Sequence, residues 1–142
     1  MKIIFDYNRT IFNPDTQELY SSVFELLSDL SGKYDLFLIS KNEAGRNEIL
    51  EKFGIDKFFK RIVFTDNKSV ETFKEIIGVD KNAIVVGDRV QGEIAIGNEL
   101  NLITVWVKQG KFSNVIPVSK IQKPKYTINN ISELKEIIKQ YE

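Results

Sequence analysis

The stretch MKIIFDYNRT, residues 1–10, places a short apolar run directly before an acid, Asp6. Such a run favours a strand that is buried on both of its faces. A carboxylate at the exit of a buried strand either caps and turns the chain locally or belongs to a site at the edge of a sheet. Asn8, Arg9 and Thr10 follow at once, so the residues after the strand are unusually polar.

Outward from this stretch, short apolar runs alternate with segments of helical period. Strands are predicted at 2–5, 35–39, 61–64, 83–86, 102–107 and 126–128, and helices at 22–31, 43–53, 69–77, 92–100 and 131–141. Ser22 with Glu25, and Asn130 with Glu133, have the spacing of capping boxes. Residues 108–125 have no clear period and are predicted to be a loop. The order is typical of an α/β protein with a Rossmann-like, three-layer α/β/α fold and a mostly parallel central sheet, here one domain over 1–142.

The composition excludes several kinds of catalytic and binding site. The 142 residues carry 20 basic and 20 acidic side chains, so the net charge of zero argues against a dedicated nucleic-acid binder. Without Cys or His, thiol nucleophiles, Cys/His zinc sites and imidazole relays are excluded. No apolar stretch reaches the roughly 20 residues that span a bilayer, and the N-terminus does not resemble a signal peptide, so we expect a cytoplasmic protein with no membrane partner.

Polar side chains stand at four predicted strand exits. Asp6, Ser40 and Asp88 end the first, second and fourth strands, and Lys68 follows the third. In a parallel sheet these exits share one edge, where ligands bind near the reversal of strand order. Two neighbouring carboxylates without an imidazole suit Mg²⁺, which would recruit a phosphate. Each residue alone could instead cap a helix, and Lys68 could be a solvated loop lysine.

Taken in order, these motifs resemble those of the haloacid dehalogenase superfamily of aspartate-nucleophile phosphohydrolases. The resemblance rests on IIFDYNRT, LFLIS, Lys68 and VVGDRVQGE, and it extends to NLITVWVKQG and YTINNISELKEII. It implies a magnesium-dependent hydrolysis of phosphate monoesters through an aspartyl-phosphate. The implied site residues are, for catalysis, Asp6 and Asn8; for phosphate binding, Ser40, Lys41 and Lys68; and for Mg²⁺, Asp6, the backbone carbonyl of Asn8, Asp88 and Glu93.

Some of these roles have competing interpretations. Lys57 and Lys60 are weaker candidates for the lysine motif. Glu93 could instead interact with a helix dipole, since acids favour the first turn. Phe58, Phe59 and Trp106 are expected in the core or on a sheet face rather than in a substrate platform.

Two positions depart from the family pattern. Asn8 stands where most family phosphatases have a second Asp, and Arg9 stands where they usually have Gly. An amide cannot act as general acid or base at neutral pH. The alternative function is therefore a catalytically weakened domain that binds metal and phosphate as a regulatory or binding module. Asn8 alone could also be a turn residue, and Arg9 is expected to be a solvated surface charge.

The intervals between the motifs leave no room for the large cap domain of many family members, so a small capless form is expected. Residues 11–20, IFNPDTQELY, are expected to form a short flap that turns at Asn13, Pro14 and Asp15. An uncapped site would admit a phosphorylated small molecule or macromolecule, or be covered by a second copy in a homo-oligomer. The Ser–Lys pair and the missing cap argue against dehalogenation of small haloacids.

A response-regulator receiver is a third interpretation. Receivers also carry acids at strand ends and accept phosphate on an Asp. They place paired acids after the first strand and the accepting Asp on the third, whereas here FDYN has one acid and the third strand ends FTDN, with Asp66. The receiver interpretation therefore fits less well.

Overall fold

The computed structural model describes all residues from Met1 to Glu142. Its strands are β1 (Lys2–Phe5), β2 (Phe12–Asn13), β3 (Glu18–Leu19), β4 (Asp35–Lys41), β5 (Arg61–Thr65), β6 (Ala83–Gly87), β7 (Ile103–Val107) and β8 (Tyr126–Ile128). Its α-helices are α1 (Val23–Ser31), α2 (Arg46–Lys52), α3 (Val70–Ile77), α4 (Ala95–Glu99) and α5 (Leu134–Lys139). No helix has the length and apolar character needed to cross a membrane.

Six strands form one parallel sheet in the order β5-β4-β1-β6-β7-β8. Along the chain, β4 and β5 are added on one side of β1. The chain then crosses to the other side of β1, where β6, β7 and β8 follow in order. This is the Rossmann order, and it differs from the 2-1-3-4-5 order of flavodoxin-like receiver folds. The strand order reverses between β1 and β6, so the topology excludes the receiver interpretation and places a binding crevice at the ends of these two strands.

Helices cover both faces of the sheet because the central strands are apolar throughout. Along β1, Ile3 and Phe5 face the core under α1 and α5, while Ile4 faces the core under α3. β4 and β6 alternate in the same way, as the two-residue period of a strand requires. The three-layer α/β/α prediction is confirmed.

Between β1 and β4 lie only the β2–β3 hairpin and α1. The hairpin forms the predicted flap, and Asn13 accepts a hydrogen bond from the backbone N–H of Asp15 in its turn. Between β4 and β5 lie only α2 and a 3₁₀ turn. Neither interval holds an inserted cap, as predicted.

Two helix starts differ from prediction. Ser22 has φ 73° and its side chain makes no capping hydrogen bond, because the chain leaves the hairpin through a left-handed turn that cannot present the hydroxyl as an N-cap does. α2 begins at Arg46 rather than at residue 43, after Gly45 at φ 80°. The capping box of Asn130 and Glu133 is present.

The segment predicted as a helix over 92–100 begins with a wide π-type turn, Val90–Ile94. Gly92 is not helical there, so regular α-helix starts only at Ala95. Residues 108–125 form a loop with two short 3₁₀ turns, Gly110–Phe112 and Lys120–Gln122. Phe59 and Trp106 are buried, as expected.

Candidate functional site

A single pocket of about 310 Å³ opens at the carboxyl ends of the central strands. It contains every residue that the sequence predicted for the site: Asp6, Asn8, Ser40, Lys41, Lys68, Asp88 and Glu93. The alternative lysines lie elsewhere, since Lys60 pairs with Asp35 and Lys57 lies over the rings of Phe24 and Phe58. The parallel topology brings the strand exits to one edge of the sheet, which is why residues far apart in the chain meet here.

Three carboxylates form the centre of this pocket. Asp6 follows β1 and Asp88 follows the adjacent β6, while Glu93 reaches back from the π-type turn. One oxygen from each lies within 4.8 Å of the others. All three are largely buried, so their mutual repulsion is poorly screened by solvent.

Glu93 is held in this cluster by the backbone. Its Oε1 accepts hydrogen bonds from the N–H groups of Asp88 and Arg89, at 3.0 and 3.1 Å. The side chain lies against Gly87, where a Cβ would collide with it. The glycine before Asp88 therefore makes room for the third acid, and the interpretation of Glu93 as a helix-dipole partner does not account for this position.

The donor set fits a hard divalent cation. Asp88 Oδ1 is buried and has no hydrogen-bond partner, which is costly unless a cation binds it. The backbone carbonyl of Asn8, beside the pocket, also accepts no hydrogen bond. Carboxylate and carbonyl oxygens without any imidazole are the ligands that Mg²⁺ prefers.

Lys68 forms an ion pair with Asp6 and lies 3.9 Å from Glu93 Oε2. Burial alone would raise the pKa of Asp6, but the charge of Lys68 and several hydrogen bonds outweigh it and lower that pKa. Burial likewise opposes the charge of Lys68, yet Asp6 and Glu93 raise the lysine pKa. Asp6 is therefore ionised and Lys68 protonated at neutral pH.

The other two acids are shifted in the opposite direction. Burial, followed by the neighbouring Asp6, raises the pKa of Asp88 to about 8. Burial and the charge of Asp6 raise the pKa of Glu93 to about 7. Without a cation, the cluster therefore holds protons that the unfolded chain would release at neutral pH.

We expect the stability of the metal-free protein to fall as the pH rises from about 5 to 8. Across this window the folded protein binds more protons than the unfolded chain, because the folded pKa values of Asp88 and Glu93 are raised. Thermal unfolding at several pH values in a chelator measures the slope. Asp88→Asn should flatten it, and a slope that Asp88→Asn leaves unchanged would place the pH dependence elsewhere.

Arg46 is a pocket residue that the sequence analysis missed. Its side chain is 7% exposed, stacks 4.4 Å from the ring centre of Tyr7, and donates a 2.8 Å hydrogen bond from Nη1 to Ser40 Oγ. Ser40 donates only a long 3.3 Å bond to the carbonyl of Lys41, so its hydroxyl hydrogen is free to turn into the pocket. Arg46 is the first residue of α2, where a cation opposes the helix dipole. This unfavourable position was the signal in the sequence that Arg46 has a specific partner.

The prediction that Arg9 is a solvated surface charge is wrong. Instead of being solvated, its side chain is 17% exposed and its Nε donates a 2.8 Å hydrogen bond to Asp88 Oδ2. The backbone has φ 60°, a conformation that favours glycine. Asn8 makes no side-chain hydrogen bond to the protein and lies at the pocket, so its amide is not used by its own turn.

Comparison with known proteins agrees with this geometry. The HAD-hydrolase-like family model matches residues 65–134, about half of the chain, which include Lys68, Asp88 and Glu93. A curated relative, glyceraldehyde 3-phosphate phosphatase from Methanopyrus kandleri, is 26% identical over 102 residues. That match covers 66% of this chain and 44% of the relative, so the matched part of the chain spans less than half the length of the Methanopyrus kandleri phosphatase.

Solved structures share the fold over the full length. A haloacid dehalogenase-like hydrolase from Burkholderia xenovorans superposes with a TM-score of 0.83 at 11% identity, covering 99% of this chain and 97% of that chain. The D,D-heptose 1.7-bisphosphate phosphatase from B. bronchiseptica, solved with magnesium and phosphate, gives 0.81 at 12% identity, covering 99% of each. These likenesses show the fold. The family match, with the motif residues in order around one pocket, identifies the chain as a member of the haloacid dehalogenase superfamily.

Proposed function

We propose that this protein is a magnesium-dependent phosphomonoester hydrolase that works through an aspartyl-phosphate on Asp6. The observation that carries the proposal is the state of Asp6: an ionised carboxylate, paired with Lys68 and within 4.8 Å of two further acids. A nucleophile must be unprotonated and positioned, and phosphoryl transfer needs mainly alignment and neutralised oxygen charge. The phosphatase relatives support the reaction class.

The metal would be held by Asp6, Asp88 Oδ1, Glu93 and the carbonyl of Asn8. When bound, Mg²⁺ neutralises negative charge on the phosphoryl oxygens. Lys68, held by Asp6, adds a second positive charge, and the Ser40 hydroxyl donates a hydrogen bond to a phosphoryl oxygen. Arg46 fixes the position of that hydroxyl through its 2.8 Å bond. Lys41 lines the pocket as an exposed cation and adds to the attraction for phosphate.

In the first step an oxygen of Asp6 forms a bond to phosphorus while the ester P–O bond breaks and the leaving alkoxide takes a proton from water. In the second step water attacks the phosphorus, releases inorganic phosphate and restores the Asp6 carboxylate. Asn8 can orient the leaving group or the water but cannot transfer the proton. General acid–base catalysis typically contributes 10²- to 10⁴-fold, so we expect a barrier roughly 3 to 5 kcal/mol higher than with an acid at this position.

Two observations favour a second candidate function, a regulatory or binding module that retains the pocket with weak turnover. Asn8 removes the proton-transfer group, and Arg9 pairs with Asp88, so a cation that binds Asp88 must do so beside a guanidinium. Release of phosphate from p-nitrophenyl phosphate with and without Mg²⁺ separates the two. Magnesium-dependent turnover supports the hydrolase, whereas metal and phosphate binding without turnover supports the module.

Magnesium binding itself can be tested without turnover. At about 100 times its Kd, a ligand that binds only the folded state stabilises it by about 2.7 kcal/mol, so Mg²⁺ should raise the Tm by several degrees. We expect Asp88→Asn to abolish this shift, because it removes the carboxylate charge and, with the amide oxygen accepting the Arg9 hydrogen bond, places an NH2 group where the unpartnered Oδ1 now lies.

Asp80→Asn is the matched control for this experiment. Asp80 is exposed and accepts a hydrogen bond from the backbone N–H of Asn82, which the amide oxygen of an asparagine can also accept. The control should therefore keep the magnesium-induced shift. An equal shift in Asp88→Asn would show that the cation binds away from the three acids.

A further inference from the structure

One edge of the pocket carries a group of cations that the proposed reaction does not use. Arg9, Arg89 and Lys111 lie around the ring of Phe112, at 4.8, 4.6 and 5.1 Å from its centre, and we name this group the cationic rim. Arg9 and Arg89 line the pocket, and Phe112 comes from the loop between β7 and β8. Cation–π contacts of this length are attractive, so the ring gathers positive charge at the pocket mouth.

The position of Arg9 within the rim is fixed by several contacts. Its Nε is bonded to Asp88, and its backbone carbonyl accepts a 3.1 Å hydrogen bond from the side chain of Gln109. Gly110, at φ 74°, leaves room for the Arg9 side chain, since a Cβ there would lie 2.7 Å from it. The loop 108–125 is therefore built around the Arg9 side chain. The backbone of Arg9, at φ 60°, has a conformation that residues other than glycine rarely adopt.

The hydrogen-bond donors of the rim are largely unused. The terminal amino groups of Arg9 donate no hydrogen bond to the protein, since only its Nε does. The side chain of Arg89 donates none, and neither Arg89 nor Lys111 forms an ion pair. Like charges held close together repel one another, and a bound anion would convert this repulsion into attraction.

We propose that the cationic rim binds a second anionic group of the substrate, a carboxylate or a second phosphate, while the acids and Lys68 hold the phosphoryl group that is removed. This inference rests on the proposed function. The guanidinium fork matches both anions in two-point hydrogen bonding, which a solvated lysine does not. Because Arg9 is bonded to Asp88 in the acid cluster, the second anion must lie only a short spacer away from the phosphate.

The test compares pairs of ligands that differ only in the second anion, in the presence of Mg²⁺. Phosphoglycolate is paired with ethyl phosphate, and propanediol bisphosphate with propyl phosphate, so that the carboxylate and phosphate sources are separated. Isothermal titration calorimetry measures affinity and needs no turnover. We expect at least one of the two ligands that carry a second anionic group to bind tenfold or more tightly than its partner, and Arg89→Ala to reduce this ratio below about threefold.

Arg61→Ala is the matched control, because Arg61 is an exposed arginine outside the pocket. This variant should retain the full affinity ratio. The native protein should also retain it when all ligands are compared at constant ionic strength, which excludes a general charge effect. Equal binding of both members of each pair, or an unchanged ratio in Arg89→Ala, would overturn this inference while leaving the hydrolase intact. Failure of inorganic phosphate and of all four ligands to bind would overturn the proposed function and this inference with it.

Discussion

Replacing Asp6 by Asn is expected to lower the release of phosphate from p-nitrophenyl phosphate at least about 10³-fold, a loss of roughly 4 kcal/mol in transition-state stabilisation. The amide keeps the size of the side chain but is a poor nucleophile, and it removes the negative charge that holds Lys68. The effect should appear in kcat, measured with saturating Mg²⁺ and substrate.

Two measurements make this result specific to the nucleophile. Asp80→Asn, which changes an exposed acid outside the pocket, should leave kcat within about twofold of the native value. Mass spectrometry of native enzyme quenched in acid during turnover should find a phosphorylated peptide that contains Asp6. Turnover that survives in Asp6→Asn, or a phosphoryl group on another residue, would remove Asp6 from the proposed role.

Asn8→Asp is expected to raise kcat by at least tenfold, towards the 10²- to 10⁴-fold that general acid–base catalysis typically contributes. The side chain lies at the pocket and makes no hydrogen bond to the protein, so a carboxyl group there would have no competing protein partner. It would restore the proton donor for the alkoxide and the base for the attacking water.

Asn67→Asp is the matched control, since it adds the same charge to the same pocket at a different position. If both variants raise kcat equally, the gain comes from the added negative charge in the pocket and not from proton transfer. If neither does, the limit on turnover lies in another feature, such as the ion pair between Arg9 and Asp88, and the binding module becomes the better interpretation.

Most of the sheet could be predicted because its strands are apolar on both faces. β1 and β8 have the predicted bounds, and β4, β5 and β6 extend by one or two residues into polar positions such as Lys41 and Thr65. Hydrophobicity defines where a strand is buried, but the ladder of backbone hydrogen bonds decides where it ends. α1 was predicted from its apolar face, although Ser22 does not cap it.

The acids, Ser40 and Lys68 could be predicted to meet because each stands at the exit of a parallel strand, and topology brings those exits together. Arg9 and Arg46 could not be placed in the same way. The burial of each guanidinium depends on an aromatic ring distant in sequence or across the pocket, Phe112 for Arg9 and Tyr7 for Arg46. Such partners are set by tertiary packing; the place of Arg46 in the first turn of α2 marks the residue as unusual but does not name its partner.

Asp6 and Asp88 follow the two central strands, β1 and β6, which are each paired on both sides and should be among the last parts of the sheet to open. β1 is paired on both sides, to β4 and β6, so its amide hydrogens should exchange with solvent deuterium only through large-scale unfolding. The loop 108–125 is held mainly by side chains, with Asn98 bonded to the carbonyls of Ile121 and Lys123 and Gln109 bonded to the carbonyl of Arg9. Several of its own backbone N–H groups, such as those of Lys111 and Ile121, donate no hydrogen bond, so they should exchange through small local fluctuations. Small openings of this loop therefore leave the spacing of the Asp6 and Asp88 carboxylates unchanged.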